Sequence, residues 1–143
     1  MARTVDEALQ EATLVSDEQV YQIIRLPASA ITAAAGVLAE IGEPFGALIA
    51  DKDEVTLIIP ADTLNTFTRR LPDYQPSAAQ YRLITFEAVL EPTMIGFMAR
   101  VSSALADAGI PIFPYAAYTT DHILVPADNF AAAVEALNRL RSR

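Results

Sequence analysis

Asp121 and His122 are adjacent, and Tyr118 stands three residues ahead of Asp121. A carboxylate, an imidazole and a phenol this close raise acid–base catalysis as the first question. His122 is the only histidine of the chain. Neighbouring side chains of a strand point to opposite faces, so Asp121 and His122 form no catalytic pair with each other, and His122 reads as an ordinary strand residue. Asp121 keeps two readings: a turn residue whose side chain bonds its own backbone, or a group that faces a ligand. Tyr115 and Tyr118 divide in the same way, between core or interface aromatics and ligand contacts. The acidic run Asp51, Lys52, Asp53, Glu54 raises calcium, but the sixth position counted from Asp51 is Thr56, where a calcium loop requires glycine, so the run reads as a solvated turn. There is no glycine-rich phosphate loop, no cysteine, no paired histidines and no serine, histidine and acid set. Ser102 and Ser103 fall within a predicted helix, with no base nearby in sequence. The expectation is a protein that is not an enzyme and has neither metal nor cofactor.

Composition narrows the classes further. The chain has 143 residues, enough for one domain with a sizeable core or two very small units that share one. Hydrophobic residues make up 52% and charged residues 20%, an ordinary globular balance. With a net charge of −8 and no basic stripe, a phosphate backbone is repelled overall, which argues against nucleic acid. The absence of cysteine suits a reducing compartment, and MARTVDEALQEA carries acids where an export signal carries a basic and then an apolar region. The expected location is cytoplasmic. The most apolar stretch, Ala28 to Ile41, contains Glu40 and falls short of the roughly 20 residues that a membrane span needs, so no membrane partner is expected.

The elements that position these residues come in two copies. LAEIGEP at Leu38 to Pro44 returns as LADAGIP at Leu105 to Pro111, and LIIPADTL at Leu57 to Leu64 returns as ILVPADNF at Ile123 to Phe130. Gly42 and Gly109 stand 67 residues apart, Pro60 and Pro126 66, so the copies differ by one loop residue. In the second copy, strand-forming residues fill Tyr81 to Leu90. Ile95, Met98, Val101, Leu105 and Ala108 then recur at helical spacing and predict a helix over Thr93 to Ala108, which Gly109 ends and Pro111 keeps from resuming. Ile112 to Tyr118 and His122 to Val125 read as a hairpin about Thr119, Thr120 and Asp121. A last helix opens at Pro126 to Asp128 and turns Phe130, Val134, Leu137 and Leu140 inward. No closing strand is visible at the C-terminus.

The first copy repeats the order. Val20 to Leu26 reads as a strand, Ser29 to Ile41 as a helix, Phe45 to Ala50 and Val55 to Ile59 as a hairpin, and Asp62 or Thr63 to about Leu71 as a short helix. PDYQPSAA at Pro72 to Ala79 joins the halves. Thr4 and Glu7 have capping-box spacing, which places a short helix at Val5 to Thr13. The division is therefore an N-terminal extension at 1–19, a first unit at 20–75 and a second at 76–143. The fold class is α+β: two tandem ferredoxin-like βαββαβ units with antiparallel sheets and helices packed on one face.

The second half, GIPIFPYAAYTTDHILVPADNFAAAVEAL from Gly109 to Leu137, resembles the C-terminal ACT domain of small bacterial tandem ACT proteins, a domain type also found in the animal cytosolic arginine sensor. The resemblance rests on GIPI at the helix end, Phe113 in the next strand, Tyr118 with Asp121, and the apolar strand ending Val125-Pro126. It covers about Val20 to Leu140. It implies an ACT-type regulatory module that binds an amino acid or another small effector where two such units meet. The ligand would sit between the loop Leu90 to Ile95 and the strand after the helix, touched by Pro92, Thr93, Met94, Ile95, Gly109, Ile110, Pro111, Ile112, Tyr118, Thr119 and Asp121. In that arrangement the helix N-terminus answers a carboxylate, Asp121 an ammonium or guanidinium group, and Tyr118 covers the aliphatic part.

Aligning Pro60 with Pro126 sets Val55 opposite Asp121 and Thr56 opposite His122, so the first unit lacks the polar pair and reads as support for the second. Two functions remain open. One is an effector-binding regulatory protein acting on a protein partner; the other is a ligand-free scaffold that dimerises through open sheet edges. A homodimer is expected under either.

Overall fold

The computed structural model of the chain describes residues 3–88 and 94–142. These divide into two compact units, Gln19–Tyr81 and the pair Met1–Glu18 with Arg82–Arg143. The N-terminal segment supplies α1 (Val5–Glu11), where Thr4 accepts a hydrogen bond from the Glu7 N–H at 3.1 Å, one half of the expected capping box, and β1 (Thr13–Val15).

Gln19–Tyr81 runs β2 (Tyr21–Pro27), α2 (Ile31–Ile41), β3 (Ala47–Ala50), β4 (Glu54–Pro60), α3 (Leu64–Phe67) and β5 (Gln75–Pro76), with single 3-10 turns at Ala28–Ala30, Ala61–Thr63 and Thr68–Arg70. The strands pair antiparallel: β4 lies between β3 and β2, and β5 pairs with β2. This is the βαββαβ order, closed by a strand of only two residues within the expected linker. Period-2 alternation sends Ile24, Leu26, Val55, Leu57 and Ile59 into one core with Ala30, Ala34 and Val37 from the helical side. Gln22 is the buried polar residue here; its amide donates to the Ser77 carbonyl and, at 3.2 Å, to Ser77 Oγ.

The other unit runs β6 (Tyr81–Glu87), α4 (Phe97–Asp107), β7 (Phe113–Ala116), β8 (Asp121–Pro126) and α5 (Phe130–Arg141). β8 lies between β6 and β7, and β1 pairs antiparallel with β6, Leu14 opposite Phe86. The strand missing from the C-terminal end of the repeat is thus provided by the N-terminal segment. Ser16 Oγ donates to the Leu83 carbonyl at 2.5 Å and Arg82 to the Asp17 carbonyl at 2.9 Å, holding it in place. Ala8 and Leu9 of α1 enter the same core as Ile84, Phe86, Ile123, Val125 and Leu137. Within the repeated stretches, Leu57 and Ile59 enter the core of the first unit, and Ile123 and Val125 that of the second.

Two expectations shift. The helix predicted over Thr93 to Ala108 begins at Phe97, because Gly96 sits at φ 94°, ψ 0°, a left-handed conformation that no α-helix contains. The buried stripe is consequently Phe97, Val101 and Leu105, while Ile95, expected on the inward face, is 88% exposed. In α5, Ala133 and Ala136 are buried with Leu137 and Leu140, and Phe130 and Val134 pack against that core only partly buried.

Candidate functional site

Residues Tyr118 and Thr119 form the tip of the β7–β8 hairpin. Ala116 pairs with Asp121, and the Ala117 N–H donates to the Thr120 carbonyl at 2.9 Å, which closes the turn through backbone alone. Asp121 is therefore not needed for the turn; among the described residues its carboxylate accepts no hydrogen bond. It shares its strand face with Ile123 and Val125, the residues that enter the core beneath the helices. Half-burial pushes its carboxyl above the ordinary 3.8, an effect opposed by His122.

Across from the hairpin lies the start of α4. Gly96 is its N-cap, and no side-chain cap bond is made there among the described residues; the positive end of the helix dipole lies at this end. Between hairpin and helix start lies a cavity of about 340 Å³ lined by Met94, Gly96, Phe97, Met98, Ala99, Ala116, Ala117, Tyr118, Thr119, Thr120 and Asp121. All of these belong to one unit.

His122 points to the other face of the sheet, as strand alternation requires, with Nδ1 2.8 Å from Thr85 Oγ1. Burial lowers its pKa from 6.5, and the Asp121 charge works against that shift. The two adjacent groups face opposite sides of the sheet and influence each other through charge alone.

Of the residues expected at the site, Met94, Tyr118, Thr119 and Asp121 line this cavity. Ile95 is next to it but points into solvent and lines a separate shallow groove with Val5 and Arg100. Pro92 and Thr93 lie outside the described residues. Gly109, Ile110, Pro111 and Ile112 are at the opposite end of α4, away from the cavity lining. There Gly109, at φ 75°, donates to the Ala106 carbonyl and Ile110 to the Leu105 carbonyl, both at 2.9 Å, and Ile110 is buried in the core. This quartet ends a helix. The sequence reading passed over Gly96, Phe97, Met98 and Ala99, although a glycine inside a helical pattern signals a break that would have found them.

Residues 78–139 match the family model of the ACT domain. That stretch is similar to an ACT domain. Every cavity-lining residue falls within the matched span. A comparison with curated proteins found no match. Among solved structures, a protein from Agrobacterium tumefaciens is 25% identical, with 91% of this chain and 89% of that one covered and a TM-score of 0.71. A Vibrio cholerae protein of unknown function is 23% identical over 96% of each chain, TM-score 0.75. The ligand-free regulatory subunit of aspartate kinase from Thermus thermophilus is 14% identical, covering 90% of this chain and 97% of that one, TM-score 0.69. These likenesses establish a common fold over nearly the whole chain, including the half that the ACT-domain model does not reach. A small-molecule-binding regulatory role in general goes with the ACT domain. Among the described residues no helix is long and apolar enough to cross a membrane.

Proposed function

We propose that this protein is a regulatory effector-binding protein without enzymatic activity. It takes an amino acid into the cavity between the α4 N-terminus and the β7–β8 hairpin, and passes its occupancy to a protein partner in the cytoplasm. The observation that carries this reading is the Asp121 carboxylate, half-buried at the cavity, relieved of any duty in its turn and without a hydrogen bond among the described residues. An ammonium group would complete it, while the uncapped start of α4 would receive the ligand carboxylate. A charged hydrogen bond of this kind contributes about 1.5–3 kcal/mol, suited to a reversible effector. Thermal unfolding with each common amino acid tests the reading, since a ligand at 100 times its Kd adds about 2.7 kcal/mol of stability. No shift with any of them at millimolar concentration would refute it.

A ligand-free scaffold remains the second reading. It is favoured by the exposed Ile49 on β3 and Phe113 on β7, outermost strands in the sheets of their own units. Under either reading we propose a homodimer. If Ile49→Lys abolishes self-association while Asp121→Asn changes neither association nor amino-acid-dependent melting, the scaffold reading replaces the first.

A further inference from the structure

We infer that the effector is an amino acid with an uncharged, apolar side chain, of the size of leucine or methionine. This rests on the proposed site being a ligand site and adds what kind of ligand it takes. The argument is a count of charges against surfaces. Among the described lining residues, Asp121 is the one acidic or basic side chain of the Asp, Glu, His, Lys and Arg types, and it answers one cation only. Once the ligand's ammonium has taken it, the second cation of lysine or arginine has no partner among the described lining residues. Aspartate or glutamate fares no better, because its second carboxylate meets no arginine or lysine among these residues and lies near Asp121 itself. Leaving a desolvated charge without a partner opposes binding.

The remaining lining decides among uncharged side chains. Met94, Phe97, Met98 and Ala99 on the helix side and Ala116 and Ala117 on the hairpin side offer carbon and thioether surface. Tyr118 is 91% exposed at the hairpin tip, and Thr119, Ala99, Ala116 and Ala117 are exposed with it at the rim, so the less exposed part of the lining is Met94, Phe97 and Met98 with the half-buried Thr120 and Asp121. Methionine side chains adjust to the shape of an aliphatic ligand. A cavity of about 340 Å³ is at the small end of ligand sites, of a size for one amino acid.

Calorimetric titration of the full chain tests this with leucine, methionine, lysine, arginine, aspartate, glutamate and N-acetyl-leucine as probes, after a melting screen of all twenty amino acids. The expected result is binding of leucine or methionine at least about tenfold tighter than any of the four charged amino acids, and a comparable loss for N-acetyl-leucine, which lacks the ammonium. A charged amino acid that binds as tightly as leucine overturns this inference and leaves the proposed function standing. Equal binding of leucine and its N-acetyl form overturns it as well, by removing Asp121 as the ammonium's partner. If none of the twenty binds, the proposed function fails first and this inference with it.

Discussion

Asp51 and Asp121 both stand at the hairpin that joins the paired strands of their units, and they are used in opposite ways. Asp51 accepts hydrogen bonds from the Asp53 and Glu54 N–H groups at 2.7 and 2.9 Å. It is exposed, and these bonds hold its carboxyl below 3.8. Asp121 leaves its turn to backbone bonding and is half-buried at a cavity, with its carboxyl pushed up. Where alignment on Pro60 and Pro126 sets a partner for Asp121, the first unit has Val55, fully buried in the core. The same repeat position thus holds a core residue in the first unit and a carboxylate at an unfilled recess in the second. A carboxylate that its own turn does not use keeps all of its acceptor sites for another partner.

The largest effect is expected from carrying the difference across. Val55→Asp would place a carboxylate among Leu26, Leu57 and Ala34 and destabilise the chain by about 4 kcal/mol, as read by denaturant unfolding. A loss under about 1 kcal/mol would mean that this position is wetter than the packing implies. The reverse exchange, Asp121→Val, should leave stability within about 1 kcal/mol while removing the melting response to leucine or methionine. If that response survives, the contrast between the two acids has no functional content.

Two glycines sharpen the comparison at the level of backbone. Gly96→Ala should cost about 1–2 kcal/mol, because φ 94° disfavours any Cβ, although its nearest neighbour, Val5 Cγ2, would be 3.9 Å away. Gly36 lies inside α2 at ordinary helical φ, and a Cβ there would meet only the flexible Arg70 Nη2 at 3.4 Å. Gly36→Ala should stabilise by about 0.5–1 kcal/mol. The two melting temperatures are expected to move in opposite directions.

The smallest effects are in pH. The lowered pKa of Asp51 gives stability that is present above 3.8 and lost as pH falls through its folded value; the raised pKa of Asp121 gives stability present below 3.8 that declines as pH rises through its folded value. Asp51→Asn and Asp121→Asn should therefore change the acid limb of the stability curve with opposite sign. His122, with a lowered pKa, stabilises above 6.5 and loses that contribution as pH falls below it, so His122→Gln should flatten the curve under 6.5.

Local punctuation was legible in the chain. Gly42 and Gly109 do end helices at positive φ, Thr4 does cap α1, and the charged run at Asp51 is a turn. The helix start on which the site depends was misplaced, because five apolar residues at helical spacing outweighed one glycine. Spacing also assigned GIPI to the site, whereas an 11-residue helix separates that quartet from the cavity, roughly 16 Å at 1.5 Å per residue.

Amino-acid order alone determined that this is a duplicated α+β chain with one polar hairpin, since periodicity, turn residues and repeats act over a few neighbours and need no partner to be read. Tertiary structure alone decided that β1 closes the second unit and that Asp121, beside the start of α4, has no hydrogen bond among the described residues. A three-residue strand carries too little pattern to announce its partner, and residues 13–15 meet residues 85–87 only because burying Leu9, Leu14 and Phe86 together outweighs the entropy of closing so long a loop.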